Sequence, residues 1–318
     1  MTGSGVSRIL ERCKWTTELY IPAIWDPSAS REASSVDSCT QMELLVAGNS
    51  ASVGIDWVDQ PDDIVKKYQG LLVIFTHSFT EHITPRIVSA ARLVASTHKL
   101  GICVVKMQGS AGVGLSTNHT ALGFSFLSEI QAATDRISQH VGATFPKIAL
   151  GFGLGGVPLI EYSGSAFSGT VLVSCPLNVD RFCSSEPNGA MLLCGKKLVK
   201  DNADFLTRHF PIEMTKAMDA ASLEEFVALA KPIASSLPSA ADLYQLLDNK
   251  THPTLLFYAL DDVHIEFSKT VDLVRLCRNP NIAVAAVESG GHCEFFSVTK
   301  TNWLVHAICE FAFRLSLV

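Results

Sequence analysis

The sequence predicts an α/β protein in which helices cover a mostly parallel, doubly wound sheet. Short apolar runs rich in Val, Ile and Phe alternate with longer segments of helical spacing, as in βαβ units. The runs are uniformly apolar, which is typical of strands covered on both faces. With 318 residues, 47% of them hydrophobic, the chain is long enough to bury a sizeable core.

The elements follow in order along one domain, residues 41–318, behind an N-terminal extension, residues 1–40, that we expect to be partly flexible. Two segments around Gly48-Asn-Ser, residues 42–47 and 52–58, predict a hairpin, and Gln60-Pro-Asp-Asp predicts a turn. Buried strands are predicted at residues 70–75, 101–105, 148–150 and 170–174, and further strands at residues 253–259 and 282–287. Helices are predicted at residues 84–98, 124–141, 157–162, 270–276 and 302–313.

A helical insertion is predicted at about residues 180–250, where no strand pattern interrupts the sequence. Segments with helical spacing lie at residues 192–199, 205–218 and 223–230. An insertion of this kind above the edge of a sheet can act as a lid.

Composition excludes several classes of function. The formal net charge of −6 argues against a nucleic-acid partner, which calls for a basic face. No stretch reaches the roughly 20 continuous apolar residues of a membrane span, and the first residues lack the apolar core of a signal peptide. None of the nine cysteines forms a C-x-x-C pair, so we expect reduced thiols in the cytosol, no structural metal and no cofactor.

The most informative segment is Gly151-Phe-Gly-Leu-Gly-Gly156, which joins a predicted strand to a predicted helix. One interpretation is a nucleophile elbow, G-x-S-x-G, whose central position is Gly153 instead of serine. A second is a dinucleotide-binding turn, G-x-G-x-x-G, with Asp180 placed 24 residues beyond Gly156. A third is a tight turn whose glycines only allow backbone segments to approach each other.

Two later positions favour the elbow. Asp261-Asp262 follows the strand at residues 253–259, and His292 follows the last strand within Gly290-Gly-His. In a parallel sheet, ligands bind beyond the carboxyl ends of the strands, where these residues are expected. The chain order of elbow, acid and histidine is the one in which some serine hydrolases carry Ser, Asp and His, and the dinucleotide interpretation does not predict it.

The chain resembles the YheT-like, embryogenesis-associated branch of the α/β-hydrolases, known as AB hydrolase family 4. The resemblance covers roughly residues 45–300 and is most specific in its last three segments. The matching segments are Phe75-Thr-His77-Ser-Phe-Thr, Gly109-Ser-Ala-Gly112, Gly151-Phe-Gly-Leu-Gly-Gly156, Val173-Ser-Cys-Pro-Leu177, Ala259-Leu-Asp-Asp262, Asn279-Pro-Asn281 and Gly290-Gly-His292-Cys-Glu-Phe. This family comprises predicted or demonstrated carboxyl-ester and acylglycerol hydrolases, so the resemblance implies the α/β-hydrolase fold and esterase-type ancestry.

The resemblance also implies roles for individual residues. His292 corresponds to the general base and Asp262, which aligns better than Asp261 with the usual acid position, to its orienting carboxylate. The backbone N–H groups of Phe79 and Leu154 correspond to the oxyanion donors. The family elbow reads Gly-x-Ser-Leu-Gly-Gly, so Gly153 stands where the nucleophilic serine is expected and supplies no nucleophile.

Two further departures from the family lie near the same site. His77-Ser78 stands where the family has His-Gly, and Lys106-Met-Gln108-Gly109 stands where it has Asn-x-Arg-Gly. The sequence therefore predicts a hydrolase-derived protein that has lost serine catalysis and binds an acyl or lipid-like ligand, or a protein partner, in the cytosol or at a membrane surface.

Two other functions stay open at this point. The first is an active carboxyl-ester hydrolase that uses Cys175, Ser110 or an activated water as the nucleophile, and the second is a nucleotide-binding module. The remaining histidines that lack ligand spacing are expected at the surface or in the core. These are His82, His98, His119, His140 and His264.

Overall fold

The computed structural model describes residues 41–47, 51–76, 88, 91–92, 99–109, 112–115, 126–184, 189–230, 239–293 and 303–316. The predictions for the N-terminal extension, and most of the helix predicted at residues 84–98, lie outside these ranges. So do the site candidates His77, Phe79 and Ser110.

An eight-stranded sheet forms the centre of the described part of the chain. Its strands are β1 (Gln41–Val46), β2 (Ser52–Trp57), β3 (Gly70–Thr76), β4 (Leu100–Lys106), β5 (Lys147–Phe152), β6 (Gly169–Val173), β7 (Thr254–Ala259) and β8 (Ile282–Val287). Their order in the sheet is β1-β2-β4-β3-β5-β6-β7-β8. Strand β2 pairs antiparallel with β1 and β4, and all other neighbours pair in parallel. The predicted hairpin and the mostly parallel, doubly wound sheet are confirmed.

Helices cover both faces of this sheet. They are α1 (Pro61–Lys67), α2 (Leu127–Val141), α3 (Val157–Glu161), α4 (Val179–Ser184), α5 (Ala190–Asp201), α6 (Ala203–His209), α7 (Pro211–Asp219), α8 (Leu223–Ala230), α9 (Ala240–Asp248), α10 (Phe267–Thr270), α11 (Leu273–Leu276) and α12 (Trp303–Ser316). Side chains alternate between the faces of each strand, so Leu71 and Val73 enter the core beneath α2 and α3, whereas Leu72 enters the core beneath α12. Helices α4 to α9 all lie between β6 and β7, with no strand among the described residues there.

Proline and capping residues explain where the helices differ from the predictions. The turn predicted at Gln60-Pro-Asp-Asp is the start of α1, because Pro61 occupies the first helical turn, where its missing N–H is no loss. The single helix predicted at residues 205–218 is two helices, because Pro211 cannot continue α6 and instead begins α7. Helix α9 was not predicted, and it begins at a capping box formed by Ser239 and Asp242.

The sheet order places the glycine turn at a point where the chain changes direction. After β3 the chain adds β4 on one side, and it then returns to the other side of β3 to form β5. In open α/β sheets, ligands bind in the crevice at the carboxyl ends of the strands at such a switch point. Gly153 follows β5 directly and therefore lies at this crevice.

A buried lysine fixes the helix that follows the glycine turn. The Nζ atom of Lys250 donates to the carbonyl oxygens of Leu159 and Tyr162, at 3.0 and 2.7 Å, at the end of α3. These carbonyls lack N–H donors within the helix, so the lysine satisfies groups that would otherwise be buried and unpaired. Lys250 is only 7% exposed, and this burial lowers the pKa of its ammonium group to about 8.

We expect Lys250→Met to destabilise the protein by about 2 kcal/mol, because it keeps the apolar stem but leaves two buried carbonyls unpaired. Urea unfolding checks this, with Lys67→Met as the matched control, since Lys67 is exposed and forms only a surface ion pair with Asp63. Equal stabilities for the two variants would contradict this role of Lys250.

Candidate functional site

The residue at the centre of the glycine turn has a left-handed backbone. Gly153 has φ +51° and begins one turn of 3₁₀ helix, Gly153–Gly156, which connects β5 directly to α3. Non-glycine residues seldom adopt this conformation, and it is typical of functional sites when they do. The chain thus makes a sharp strand-to-helix turn at this position.

Close packing explains two other glycines of the turn. A Cβ atom on Gly151 would lie 2.7 Å from the Cα of Gly156, and a Cβ atom on Gly156 would lie 2.8 Å from the Sγ of Cys175. Both distances are too short for a real side chain, so the turn needs glycine at these positions. The spacing of Gly151 and Gly156 therefore has a structural cause that involves no nucleotide.

Asp262 lies just after β7 and has no exposed side-chain surface. Its Oδ1 atom accepts hydrogen bonds from the backbone N–H groups of His264 and Ile265, at 2.9 and 3.0 Å. Its Oδ2 atom lies 2.9 Å from Nδ1 of His292. Burial, the largest influence, raises the pKa of Asp262, but the hydrogen bonds from His292 and the two backbone groups outweigh it and lower the pKa overall. The carboxylate is therefore ionised at neutral pH.

The neighbouring Asp261 contacts the same loop in a different way. Its Oδ1 atom accepts hydrogen bonds from the backbone N–H groups of Gly290 and Gly291, at 2.9 and 2.8 Å. Asp261 thus holds the loop backbone, whereas Asp262 holds the imidazole of His292.

The two ring nitrogens of His292 differ: Nδ1 is hydrogen-bonded to Asp262, whereas Nε2 has no partner among the described residues. Because Asp262 is ionised, Nδ1 is the donor of their hydrogen bond. The Nε2 atom is buried and has no hydrogen-bond partner within the described part of the chain. Burial, the largest influence, lowers the pKa of His292, but the Cys293 sulfur and the Asp262 carboxylate outweigh it and raise the pKa overall.

The register of the sheet places this histidine loop beside the glycine turn. The backbone N–H of Cys293 donates to Oγ of Ser174 at 3.3 Å. Ser174 follows Val173, which pairs with Phe152, the residue before Gly153. Since neighbouring strands lie about 4.8 Å apart, the histidine loop contacts the strand end adjacent to the one that bears Gly153.

Two rings pack against the imidazole of His292. The ring of Phe182, on α4, lies 5.9 Å from it and the ring of His264 lies 4.8 Å from it, centroid to centroid. The guanidinium of Arg181 pairs with Glu266, which ties α4 to the loop after β7. Helix α4 therefore covers the site.

His264 was expected at the surface or in the core, but the structure places its ring beside that of His292. The available signal was its position two residues after Asp262, since aspartate commonly accepts from the N–H two residues on.

The geometry argues against Cys175 as a replacement nucleophile. Its side chain is fully buried beneath Gly156, and burial raises the pKa of its thiol well above the ordinary value. The Sγ atom of Cys293 lies 3.8 Å from the carbonyl oxygen of Val173, on the side of the sheet covered by α12.

Leu154 is the second residue of the 3₁₀ turn, so its N–H is in the first turn, where no helical acceptor exists.

Two other kinds of site are absent from the described residues. No group of three or more His, Cys, Asp or Glu side chains is arranged to hold a metal ion. No helix in the described ranges combines the length and the apolar character needed to cross a bilayer.

Solved structures share this arrangement of strands and helices. An esterase from Pyrococcus furiosus superposes with a TM-score of 0.55 at 11% identity, covering 92% of this chain and 97% of that one. An esterase from Rhodococcus gives 0.52 at 12% identity, covering 86% and 99%, respectively. A proline iminopeptidase from Mycobacterium smegmatis gives 0.53 at 13% identity, covering 87% and 99%. The protein has the α/β-hydrolase fold. No protein-family model and no curated protein sequence matches the chain.

In the α/β-hydrolase fold, the sharp turn between a central strand and the next helix carries the nucleophile, and the acid and the histidine follow later in the chain. Here the sharp turn after β5 carries Gly153, and Asp262 and His292, in the loops after β7 and β8, are in hydrogen-bonding contact. At 11–13% identity the likeness shows the fold alone.

We expect Gly151→Ala to destabilise the protein by about 2 kcal/mol or more, because the backbone of Gly156 cannot move away from the added methyl group. Gly114→Ala is the matched control, since a Cβ atom there meets nothing within 4 Å, and it should change stability by less than about 0.5 kcal/mol. Similar thermal unfolding of the two variants would show that the turn is not closely packed.

We expect Phe182→Ala to speed the modification of His292 by diethyl pyrocarbonate, because it removes a ring that packs against the imidazole. Peptide mass spectrometry gives the rate for each histidine, and the exposed His209 serves as the internal control. An unchanged rate at His292 would mean that α4 does not limit access to the site.

Proposed function

We propose that the protein derives from carboxyl-ester hydrolases, within the YheT-like branch that its motifs resemble, and that it binds an acyl or lipid-like ligand without serine catalysis. One observation carries the proposal: a glycine with left-handed φ occupies the elbow position, beside an aspartate–histidine pair that is in hydrogen-bonding contact.

The missing group is specific to one chemical step. Serine hydrolases form an acyl-enzyme by attack of the serine oxygen on the carbonyl carbon, with histidine as the base. Gly153 has no oxygen, so this bond cannot form. The backbone N–H of Leu154, and that of Phe79 by resemblance, do not depend on the side chain at position 153. They would still favour an acyl carbonyl.

The polar groups that surround His292 support continued use of the site. A buried charged pair is costly unless its remaining hydrogen bonds are made. Asp262 makes two backbone hydrogen bonds besides the one to His292, and Asp261 and Ser174 hold the backbone on either side of the ring. This arrangement keeps an imidazole nitrogen in a fixed position, as a binding site requires.

A second candidate is an active hydrolase in which His292 activates a water molecule. The Nε2 atom favours it, since it has no partner among the described residues and a general base must be within reach of the attacking water. In this case the protein would turn over esters but would not be labelled by probes that require a serine nucleophile.

A protein partner is the alternative occupant of the site. We propose a cytosolic location, with peripheral membrane attachment as the alternative, because Cys103, Cys175 and Cys293 are free thiols.

We expect the wild-type protein to resist labelling by a fluorophosphonate probe and to leave short-chain p-nitrophenyl esters intact, whereas Gly153→Ser should gain labelling. Gly153→Ala controls for the added bulk, and Gly153→Ser combined with His292→Ala should lose the gained reactivity.

Ester turnover by the wild type that disappears in His292→Ala would overturn the loss of catalysis in favour of an activated water. A folded Gly153→Ser variant that stays unlabelled would show that position 153 does not face the histidine.

A further inference from the structure

We infer that the site binds the free carboxylate of an acyl ligand in preference to its ester, with Nε2 of His292 donating a hydrogen bond to a carboxylate oxygen. This inference rests on the proposed acyl-binding function and specifies the head group of the ligand.

Hydrogen bonds hold the imidazole of His292 in one orientation. Nδ1 donates to Asp262, and the loop on both sides of the ring is tied down by Asp261 and Ser174. The ring therefore cannot turn to pair its other nitrogen elsewhere. Nε2 is buried without a partner in the described part of the chain, and a buried polar atom in that state is unfavourable until a ligand pairs with it.

The charges near the imidazole of His292 favour an anionic ligand. The titratable groups near the ring are Asp262, His264 and Cys293. Arg181, the residue before Phe182 on α4, is paired with Glu266. No carboxylate of the described residues lies within hydrogen-bond distance of Nε2. The raised pKa of His292 favours the protonated ring, whose Nε2–H is a charged donor that an anion satisfies best.

Gly153 has no side chain that could pair with Nε2 of His292. In a serine hydrolase the nucleophile's hydroxyl pairs with this imidazole nitrogen. Glycine leaves Nε2 without that partner, so a ligand oxygen can take the place of the hydroxyl. An ester carbonyl can also accept from Nε2, but it carries no charge. Because charge-assisted hydrogen bonds are stronger than neutral ones, we expect the acid to bind about tenfold more tightly.

The surface beside the aspartates suits an apolar tail. Leu260 and Val263, on either side of Asp261 and Asp262, are 52% and 59% exposed. Large apolar side chains exposed next to a polar site favour an amphipathic ligand, with its head at His292 and its chain along this rim.

Calorimetric titration of the full chain with acids from butanoate to dodecanoate, each compared with its primary amide, tests the inference at pH 7. The amide has the same shape but no charge. We expect about tenfold tighter binding of the acid, and we expect His292→Gln to abolish this preference. His140→Gln is the matched control, because His140 pairs with Glu43 of β1, at the far edge of the sheet. Gly153→Ser should also weaken acid binding, since its hydroxyl would pair with Nε2.

Each outcome decides between the two proposals. Equal affinity for acid and amide would overturn the carboxylate inference and leave acyl binding standing. Binding of neither series would overturn both. An acid preference that survives in folded His292→Gln and Gly153→Ser variants would show that the carboxylate binds elsewhere.

Discussion

The hydrogen bonds between two loops, one after β7 and one after β8, are what the site depends on. The strands are paired up to Ala259 and Val287, so the loops leave the sheet side by side. Two consecutive aspartates then reach across, one to backbone N–H groups and the other to the imidazole. Backbone pairing sets the position of the loop, and the ionised Asp262 sets the orientation of the ring. These contacts leave Nε2 of His292 without a partner in the part of the chain that the structure describes.

The glycine turn has its shape for reasons that do not involve a nucleophile. Gly151 and Gly156 allow β5, α3 and the end of β6 to approach closely. Lys250 stabilises the end of α3 by donating hydrogen bonds to its last carbonyl oxygens. The left-handed conformation at residue 153 is easier for glycine than for serine. The proposal that the protein binds a ligand without serine catalysis is consistent with this, since the turn does not need a serine to keep its shape.

Much of this arrangement could be predicted from the sequence because it depends on local patterns. Uniformly apolar runs identified the buried strands, and the order of Gly153, Asp262 and His292 suggested which loops meet. The position of Phe182 could not be predicted, because it depends on how α4 packs across the sheet, whereas the spacing of His264 from Asp262 did indicate the turn that places it. The break at Pro211 was missed because apolar spacing continues across it.

The proposed site requires residue 153 to face Nε2 of His292, and a cysteine placed there tests this most directly. In Gly153→Cys, the pH dependence of iodoacetamide alkylation, followed on the peptide that contains residue 153, reports the thiol pKa. We predict a value well below the ordinary value of about 8.5, because the imidazolium stabilises the thiolate, and a return toward that value when His292→Gln is added. An ordinary or raised pKa that does not respond to His292→Gln would contradict the account.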